Sequence, residues 1–130
     1  MDSKALIEEA TRGREHASAP FSKFKVGAAL LSADGKVFRG CNVENCTYAL
    51  TVCAERVALL TAIAAGERKF TAIAVVTQSA NPASPCGPCR QLLWEYCGDI
   101  DVTIANLDGV NETMKLSELL PRPFSFSLED

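Results

Sequence analysis

Two predicted helices of this chain each begin at a cysteine, and this feature restricts the possible folds more than any other. One helix begins in CAERVALLTAIAAG, which runs from Cys53 to Gly66, and the other begins within PCGPCRQLLWEYC, which contains Cys86 and Cys89. Free backbone amides and the positive end of the helix dipole stabilise a thiolate at such a position. Both helix starts are therefore candidate metal-binding or redox positions.

The CxxC formed by Cys86 and Cys89 has three interpretations when taken alone. It fits a redox pair, half of a structural zinc site, or part of a catalytic zinc site. Redox motifs usually follow the first strand of their fold, whereas this one comes late in the chain. Cys53 favours the catalytic interpretation, because three thiolates leave one position of a tetrahedral zinc ion open. Glu55 can then carry a proton between water and a substrate atom.

Each of these residues also has a simpler interpretation. Glu55 could act only as a carboxylate that complements the dipole at the start of its helix. Cys53 could be a small buried hydrophobic residue. That description is the one we expect for the remaining three cysteines, Cys41, Cys46 and Cys97. The single histidine, His16, is expected on a helix surface, and a fourth zinc ligand is its less favoured role.

Hydrophobic patterning predicts alternating helices and strands. The predicted helices are Ser3–Ala17, Cys53–Ala65, a segment within 86–97 and a short one at 117–120. The predicted strands are Phe24–Ser32, Lys36–Cys41, Thr71–Gln78 and Asp101–Asn106. The first two strands form a hairpin around ADG, and residues 42–52 are predicted to be a loop. This order indicates an α/β sandwich, in which helices cover one mixed sheet.

Length and charge narrow the class of protein further. A chain of 130 residues with 48% hydrophobic and 22% charged residues predicts one globular domain over residues 1–130. A net charge of −3 argues against a nucleic-acid partner, which would require a basic surface. No apolar run approaches the roughly 18 residues of a membrane span. The N-terminus lacks a secretory signal pattern, so we expect a cytoplasmic protein whose cysteines are thiols or metal ligands.

Several motifs together resemble one family. The segments PFSKFKVGAALL, GCNVEN, CAERVAL, SPCGPCRQ and ELLPRPF are similar to the small zinc-dependent cytidine deaminases that act on free nucleosides. The likeness spans nearly the whole chain. Cys53 stands where many deaminases have His, which indicates the three-cysteine type, typically a homotetramer. Phe21 and Pro88 depart from the Tyr and Ala usual in the family, and neither change affects the chemistry.

The resemblance implies a fold and an activity. The fold is a three-layer α/β/α sandwich with a mixed five-stranded sheet. The activity is hydrolytic deamination of cytidine and deoxycytidine to uridine and deoxyuridine, with release of ammonia, in pyrimidine salvage. One Zn²⁺ per chain would be held by Cys53, Cys86 and Cys89 and would activate the water that attacks C4 of cytosine. Glu55 would move protons among that water, N3 of the base and the departing ammonia.

The resemblance also implies how the substrate is held. The backbone amide of Ala54 would bind the pyrimidine O2, and Asn42 and Glu44 would hold the ribose hydroxyls. Phe24 would line the base pocket, and Phe124 would close it from a neighbouring subunit. Ordinary core packing is the alternative for both phenylalanines, and turn formation is the alternative for Asn42. Two further residues complete the set, Tyr48 as an additional contact and Arg56 as a donor to the ligand sulfurs or, alternatively, a surface arginine.

Three competing functions follow from the same residues. A deaminase acting on another aminated heterocycle is the nearest, although NVEN favours an ordinary nucleoside. A polynucleotide-editing deaminase is disfavoured because the chain is acidic, short and only 7% aromatic. A structural zinc module that binds a partner would need a fourth protein ligand, and it would leave the position of Glu55 unexplained.

Overall fold

The computed structural model describes residues 1–125 and places five strands in one sheet, in the order β2-β1-β3-β4-β5. The strands are β1 (Val26–Ser32), β2 (Val37–Cys41), β3 (Phe70–Thr77), β4 (Asp101–Asn106) and β5 (Asn111–Lys115). The helices are α1 (Ser3–Arg14), α2 (Ala54–Ala64), α3 (Gly87–Cys97) and α4 (Leu116–Leu119), and a 3₁₀ turn spans Tyr48–Leu50. None of the described helices has the length and apolar character needed to cross a bilayer.

The sheet is mixed, as the resemblance implied. Strands β3 and β4 run parallel, and the other three neighbouring pairs are antiparallel. Parallel neighbours need a crossover connection, and α3 supplies the one between β3 and β4. The predicted hairpin of β1 and β2 is confirmed, with Leu31 opposite Val37 next to the turn.

Helices cover both faces of the sheet, which confirms the three-layer arrangement. On one face, Leu6 and Ala10 of α1 pack with Ala29 and Leu31 of β1. Residues that alternate with these along β1 point to the opposite face. That face packs against the other three helices through a larger cluster of buried side chains, which includes Ala28, Leu30, Ala58, Leu59, Ile73, Leu93, Val102 and Leu116.

Gly40 lets α2 approach the sheet very closely. A Cβ atom at this position would lie 2.3 Å from the carbonyl oxygen of Ala54 and 2.5 Å from the backbone nitrogen of Ala58. No side chain fits in that space, so the first turns of α2 rest directly on the backbone of β2. The start of α2 is the part of the helix that carries Ala54 and Glu55, so this contact sets where these two residues lie relative to the sheet.

Strand β1 begins at Val26 rather than Phe24, several other element ends differ by one residue, and three larger departures follow. Strand β5 was not predicted, because NETMK is polar and nearly all of it is exposed at the edge of the sheet. Helix α1 ends at Arg14 rather than Ala17, since the chain turns there and Ser18 then bridges to Val43. The predicted loop 42–52 contains a short antiparallel bridge between Val43 and Val52 as well as the 3₁₀ turn.

Candidate functional site

The two cysteine-led helices begin as the sequence predicts. Cys53 is the N-cap of α2 and Cys86 is the N-cap of α3, and both residues have extended backbone conformations. Cys89 lies in the first turn of α3, and Pro88 occupies that turn too, where its missing N–H has no helical partner to lose. Three thiols are therefore presented by two helix N-termini, where free amides and helix dipoles favour negative charge.

The three sulfur atoms converge on one point. The Cys53 and Cys86 sulfurs are 3.7 Å apart, the Cys86 and Cys89 sulfurs are 2.9 Å apart, and all three lie within 4.8 Å of one another. A tetrahedral zinc ion with Zn–S bonds of about 2.3 Å separates its sulfur ligands by about 3.8 Å. The Cys53–Cys86 distance matches that spacing, whereas the Cys86 and Cys89 sulfurs lie closer together than zinc ligands do. A set of three thiolates suits zinc chemically.

Within residues 1–125, no fourth His, Cys, Asp or Glu joins this group of ligand atoms. His16 is exposed beyond the end of α1, so its less favoured role as a zinc ligand finds no support here. Three protein ligands leave one position of a tetrahedral ion for water or substrate, as in catalytic rather than structural zinc sites.

The charges around the thiols interact strongly. Hydrogen bonding from the Cys89 thiol lowers the pKa of Cys53 to about 6, with a further contribution from Cys86. The same interaction raises the pKa of Cys89, because neighbouring thiols cannot all ionise freely. The Cys89 sulfur beside the Arg56 guanidinium raises the pKa of Arg56. Arg56 is half-buried at this position, so it faces the sulfur cluster rather than lying on an isolated surface.

Glu55 is buried against the same cluster, with only 4% of its surface exposed. Burial raises the pKa of its carboxyl group, and the nearby Cys53 adds to the rise. A carboxylate that only complements a helix dipole lies at the surface, so the burial argues against that simpler interpretation. A carboxyl group with a raised pKa holds a proton more readily, which suits a group that transfers protons.

A cavity of about 210 Å³ opens above these residues. Its lining includes Cys53, Ala54, Glu55 and Cys86 together with Phe24 and Asn42. Ala54 is the first helical residue of α2, so its backbone N–H has no partner within the helix. The structure thus brings most of the predicted residues to one cavity.

The predicted binding residues at the edge of this cavity differ in exposure and in the hydrogen bonds that they already make. Phe24 is 41% exposed, so ordinary core packing is the wrong interpretation for it. Asn42 is buried, and its amide accepts a hydrogen bond from Val26 N (2.9 Å) and donates one to the Phe24 carbonyl (2.8 Å). Asn42 therefore holds the loop in place, as the turn interpretation expects, and one of its N–H donors is left for a ligand.

Glu44 and Tyr48 lie beside this cavity rather than in it. They line a second cavity of about 390 Å³ with Phe21 and Ser22, and Thr51 borders both cavities. The Glu44 carboxylate accepts hydrogen bonds from the Phe21 and Ser22 backbone amides and from the Ser22 hydroxyl. The Ser22 hydroxyl bond is the main cause that lowers the pKa of Glu44, so the group is held as a carboxylate.

Tyr48 is 76% exposed and meets Phe21 edge to face, with ring centroids 6.0 Å apart. Phe124 is 71% exposed and is absent from the lining of both cavities. Ordinary core packing is therefore wrong for Phe124 as well. Phe126, which lies in the same tail, is outside the described residues.

Some residues that line the cavity were not predicted from the sequence: Val26, Thr51, Val52, Val75, Thr77, Ala83 and Ser84. Two of them carried a usable signal. Thr77 is a polar residue at the carboxyl end of an apolar strand, and Ser84 comes directly before the PCGPC motif. Polar residues at such positions are typical of ligand sites in α/β proteins.

The remaining cysteines only partly match their expected role. Cys41 and Cys97 are half-buried, and burial raises the pKa of both thiols, to about 12 for Cys97. Cys46 is exposed in the loop before the 3₁₀ turn, so the prediction that it is a small buried residue is wrong.

Comparison with known proteins identifies the family. A family model for the cytidine and deoxycytidylate deaminase zinc-binding region matches residues 1–105. The cytidine deaminase of Sporosarcina psychrophila is 48% identical over 126 residues, which cover 96% of this chain and 93% of the relative. The crystal structure of cytidine deaminase from Burkholderia pseudomallei gives a TM-score of 0.92 at 51% identity, covering 95% of this chain and 100% of that one.

A second solved structure, the cytidine deaminase of Mycobacterium tuberculosis, gives a TM-score of 0.85 at 36% identity, covering 97% of this chain and 99% of that one. The fold and the three-thiol centre define a zinc-binding deaminase of the α/β/α class. The chain belongs to the cytidine and deoxycytidylate deaminase family.

Proposed function

We propose that this protein catalyses the hydrolytic deamination of cytidine and deoxycytidine to uridine and deoxyuridine, releasing ammonia. One observation carries the proposal: the sulfurs of Cys53, Cys86 and Cys89 converge beside the buried carboxyl group of Glu55, and Cys53, Cys86 and Glu55 line one cavity. A role in pyrimidine salvage agrees with this reaction, which converts a free cytosine nucleoside to the corresponding uracil nucleoside.

Cys53, Cys86 and Cys89 would hold one zinc ion per chain. When bound there, zinc acts as a Lewis acid that activates water as a nucleophile. Arg56 would support this role, because its guanidinium group beside the Cys89 sulfur would offset part of the negative charge of a centre with three thiolates. A less negative centre is the stronger Lewis acid.

Glu55 would carry the protons of the reaction. Its carboxylate accepts a proton from the attacking water and delivers it to N3 of the cytosine ring. It then takes the remaining proton from the oxygen now bonded to C4 and passes it to the amino group, so that the C4 carbonyl forms as the C4–N bond breaks and ammonia leaves. Its burial raises the pKa of the carboxyl group, which makes the protonated form easier to reach during this exchange.

The cavity would orient the nucleoside through a few contacts. The free N–H of Ala54 binds the pyrimidine O2, and Phe24 packs against the base. Asn42, through its remaining N–H donor, and Glu44 hold the ribose hydroxyls, with Tyr48 as a further contact. The Glu44 carboxylate already accepts three hydrogen bonds from Phe21 and Ser22, so it is fixed in place before a ligand arrives.

We further propose that the protein is a cytoplasmic homotetramer built from single domains spanning residues 1–130. The exposure of Phe124 supports shared sites, since an exposed aromatic residue in a C-terminal segment is suited to a partner surface. In this arrangement Phe124 of one subunit covers the base bound by its neighbour and excludes water from it.

The test is an assay of the purified protein with cytidine and deoxycytidine that measures nucleoside loss and ammonia together. We expect equal amounts of ammonia and uracil nucleoside, loss of activity with a zinc chelator, and recovery with added Zn²⁺. Turnover of only another aminated heterocycle would reassign the substrate. Zinc binding without any turnover would leave the structural zinc module as the better interpretation.

A further inference from the structure

Gln91 of α3 binds the C-terminal segment through two hydrogen bonds to the backbone of Phe124. Its amide nitrogen Nε2 donates to the Phe124 carbonyl at 2.7 Å, and its Oε1 accepts from the Phe124 N–H at 3.0 Å. One side-chain amide thus pairs with both backbone groups of a single residue. The backbone of Phe124 is fixed on α3, while its ring remains 71% exposed.

Arg90, the preceding residue, holds the beginning of the same segment. Its Nη1 donates to the carbonyl oxygen of Leu119 at 2.9 Å. Leu119 is the last residue of α4, and carbonyl groups at a helix end lack partners within the helix. Arg90 and Gln91 therefore hold both ends of the segment 119–124, and we call this pair the tail clamp.

The tail clamp is also connected to the cavity. The Arg90 Nη2 atom donates to the Ser84 hydroxyl at 2.7 Å, and its Nε donates to the Pro85 carbonyl at 2.7 Å. Ser84 lines the cavity, and Pro85 comes directly before the zinc ligand Cys86. One guanidinium group therefore joins the rim of the cavity to the C-terminal segment.

The sequence explains why this segment needs side-chain support. Pro121 and Pro123 lack backbone N–H groups, so they cannot donate backbone hydrogen bonds to the rest of the fold. Phe124 carries the first N–H after Pro123, and that donor is the one that Gln91 binds. Helix α4 has only four residues, so it contributes little local rigidity of its own.

We propose that Arg90 and Gln91 are positioning residues that set the direction in which the Phe124 side chain projects from its own subunit. The inference rests on the proposed function, in which Phe124 covers a nucleoside bound by a neighbouring subunit. Neither clamp residue lines the two cavities at the site. They act by limiting the conformations of segment 119–124, which reduces the entropy lost when the ring of Phe124 closes over the base.

The first experiment measures the clamp itself, in the zinc-loaded enzyme. Gln91→Ala should increase the hydrogen-exchange rate of the Phe124 amide about tenfold, because that amide loses its acceptor. Gln91→Glu retains an acceptor for the amide but loses the donor to the Phe124 carbonyl, so its amide should stay protected. Glu95→Ala is the matched control, since Glu95 is exposed one turn further along α3. An unchanged exchange rate in Gln91→Ala would overturn the proposal.

The second experiment asks whether the clamp acts through Phe124. Gln91→Ala should raise KM and lower kcat in the same direction as Phe124→Ala, with the zinc content unchanged. The double variant should be no worse than Phe124→Ala alone, because a positioning residue has no effect once its target is gone. If the changes in KM and kcat of the two single variants multiply in the double variant, Gln91 acts independently of Phe124 and the inference is rejected.

The two experiments also separate this inference from the function on which it rests. If Phe124→Ala keeps the KM of the unmodified enzyme, the proposed role of Phe124 in a neighbouring site is wrong. Faster exchange of the Phe124 amide in Gln91→Ala would in that case still show that the clamp holds the segment. The exchange measurement does not depend on turnover of any substrate.

Discussion

At the scale of single residues, the burial of Glu55 has two opposing consequences. Glu55 is only 4% exposed, and this burial destabilises the charged form of its carboxyl group. The pKa of the group is therefore raised, which makes it available as a proton carrier. The same burial costs folding free energy, because an ionisable group is removed from water. Function and stability therefore place opposite demands on this position.

Glu55→Gln should separate these two demands. Glutamine cannot accept and return a proton, and general acid–base catalysis contributes about 10²- to 10⁴-fold, so we expect kcat to fall by at least that factor. The melting temperature should stay the same or rise, since a neutral amide costs less to bury. Steady-state kinetics and thermal unfolding measure these two quantities, and zinc analysis checks that the metal is retained. Near-normal turnover would place the proton carrier elsewhere.

Arg56 can be tested at the same scale. Its guanidinium lies beside the Cys89 sulfur, and changes to groups that contact metal ligands typically cost about 10- to 100-fold in activity or metal affinity. We expect Arg56→Gln to lower kcat within that range while one zinc per chain is retained. Arg12→Gln is a suitable control, because Arg12 is a surface residue of α1 that pairs with Glu9. Full activity of Arg56→Gln would support the simpler surface interpretation.

At the scale of the elements, the site depends on how closely α2 rests on β2. The glycine at position 40 allows the backbone contact that places Ala54 and Glu55 at the floor of the cavity. A first turn that moved outward would carry the Glu55 carboxyl group and the Ala54 amide away from Cys86 and Cys89 at the start of α3. The spacing between one helix and one strand therefore controls the alignment of groups on two different helices.

Gly40→Ala tests this dependence. The added methyl group would meet backbone atoms at 2.3 and 2.5 Å, which cannot move independently of the helix. Overpacking of this kind costs about 1–3 kcal/mol, so chemical denaturation should show a loss in that range, and kcat should fall as well. Gly87→Ala is the control for stability, because its methyl group would meet nothing within 4 Å. If the Gly40→Ala variant is as stable as the unsubstituted protein, the contact between α2 and β2 does not require glycine at this position.

At the scale of the whole molecule, the exposed aromatic residues point to an assembly. Phe21, Phe24, Tyr48 and Phe124 are each at least 41% exposed, and three of them lie at the two neighbouring cavities. Exposed aromatic groups beside a ligand cavity leave a flat base open to water on one side. We expect a neighbouring subunit to cover that side.

We expect light scattering at assay concentration to give the mass of four chains. Phe124→Ala should leave both the tetramer and its zinc in place but raise KM and lower kcat by about tenfold in combination. This magnitude follows from base–aromatic stacking, which contributes about 1–3 kcal/mol. A fully active monomer would reject the shared site, and it would leave the zinc chemistry of each chain unaffected.

Local sequence signals determined much of this protein. The order of helices and strands up to β4 follows from apolar spacing and turn residues, and strand Asp101–Asn106 has the predicted bounds. Both cysteine-led helix starts were readable because capping and early-turn positions depend only on nearby residues. The combination of Cys53, Glu55 and the CxxC likewise indicated the chemistry, because three thiols and a carboxylate at helix starts suit a zinc ion and its proton carrier.

Other features depend on contacts between distant parts of the chain, and only the tertiary structure decided them. Strand β5 is polar and owes its existence to pairing with β4, which no local pattern reveals. The Glu44 carboxylate is held by a loop more than 20 residues away, and the tail clamp joins α3 to a backbone 33 residues further on. Patterns in the sequence report the neighbours of a residue along the chain, whereas its partners in space depend on how the helices and strands pack together.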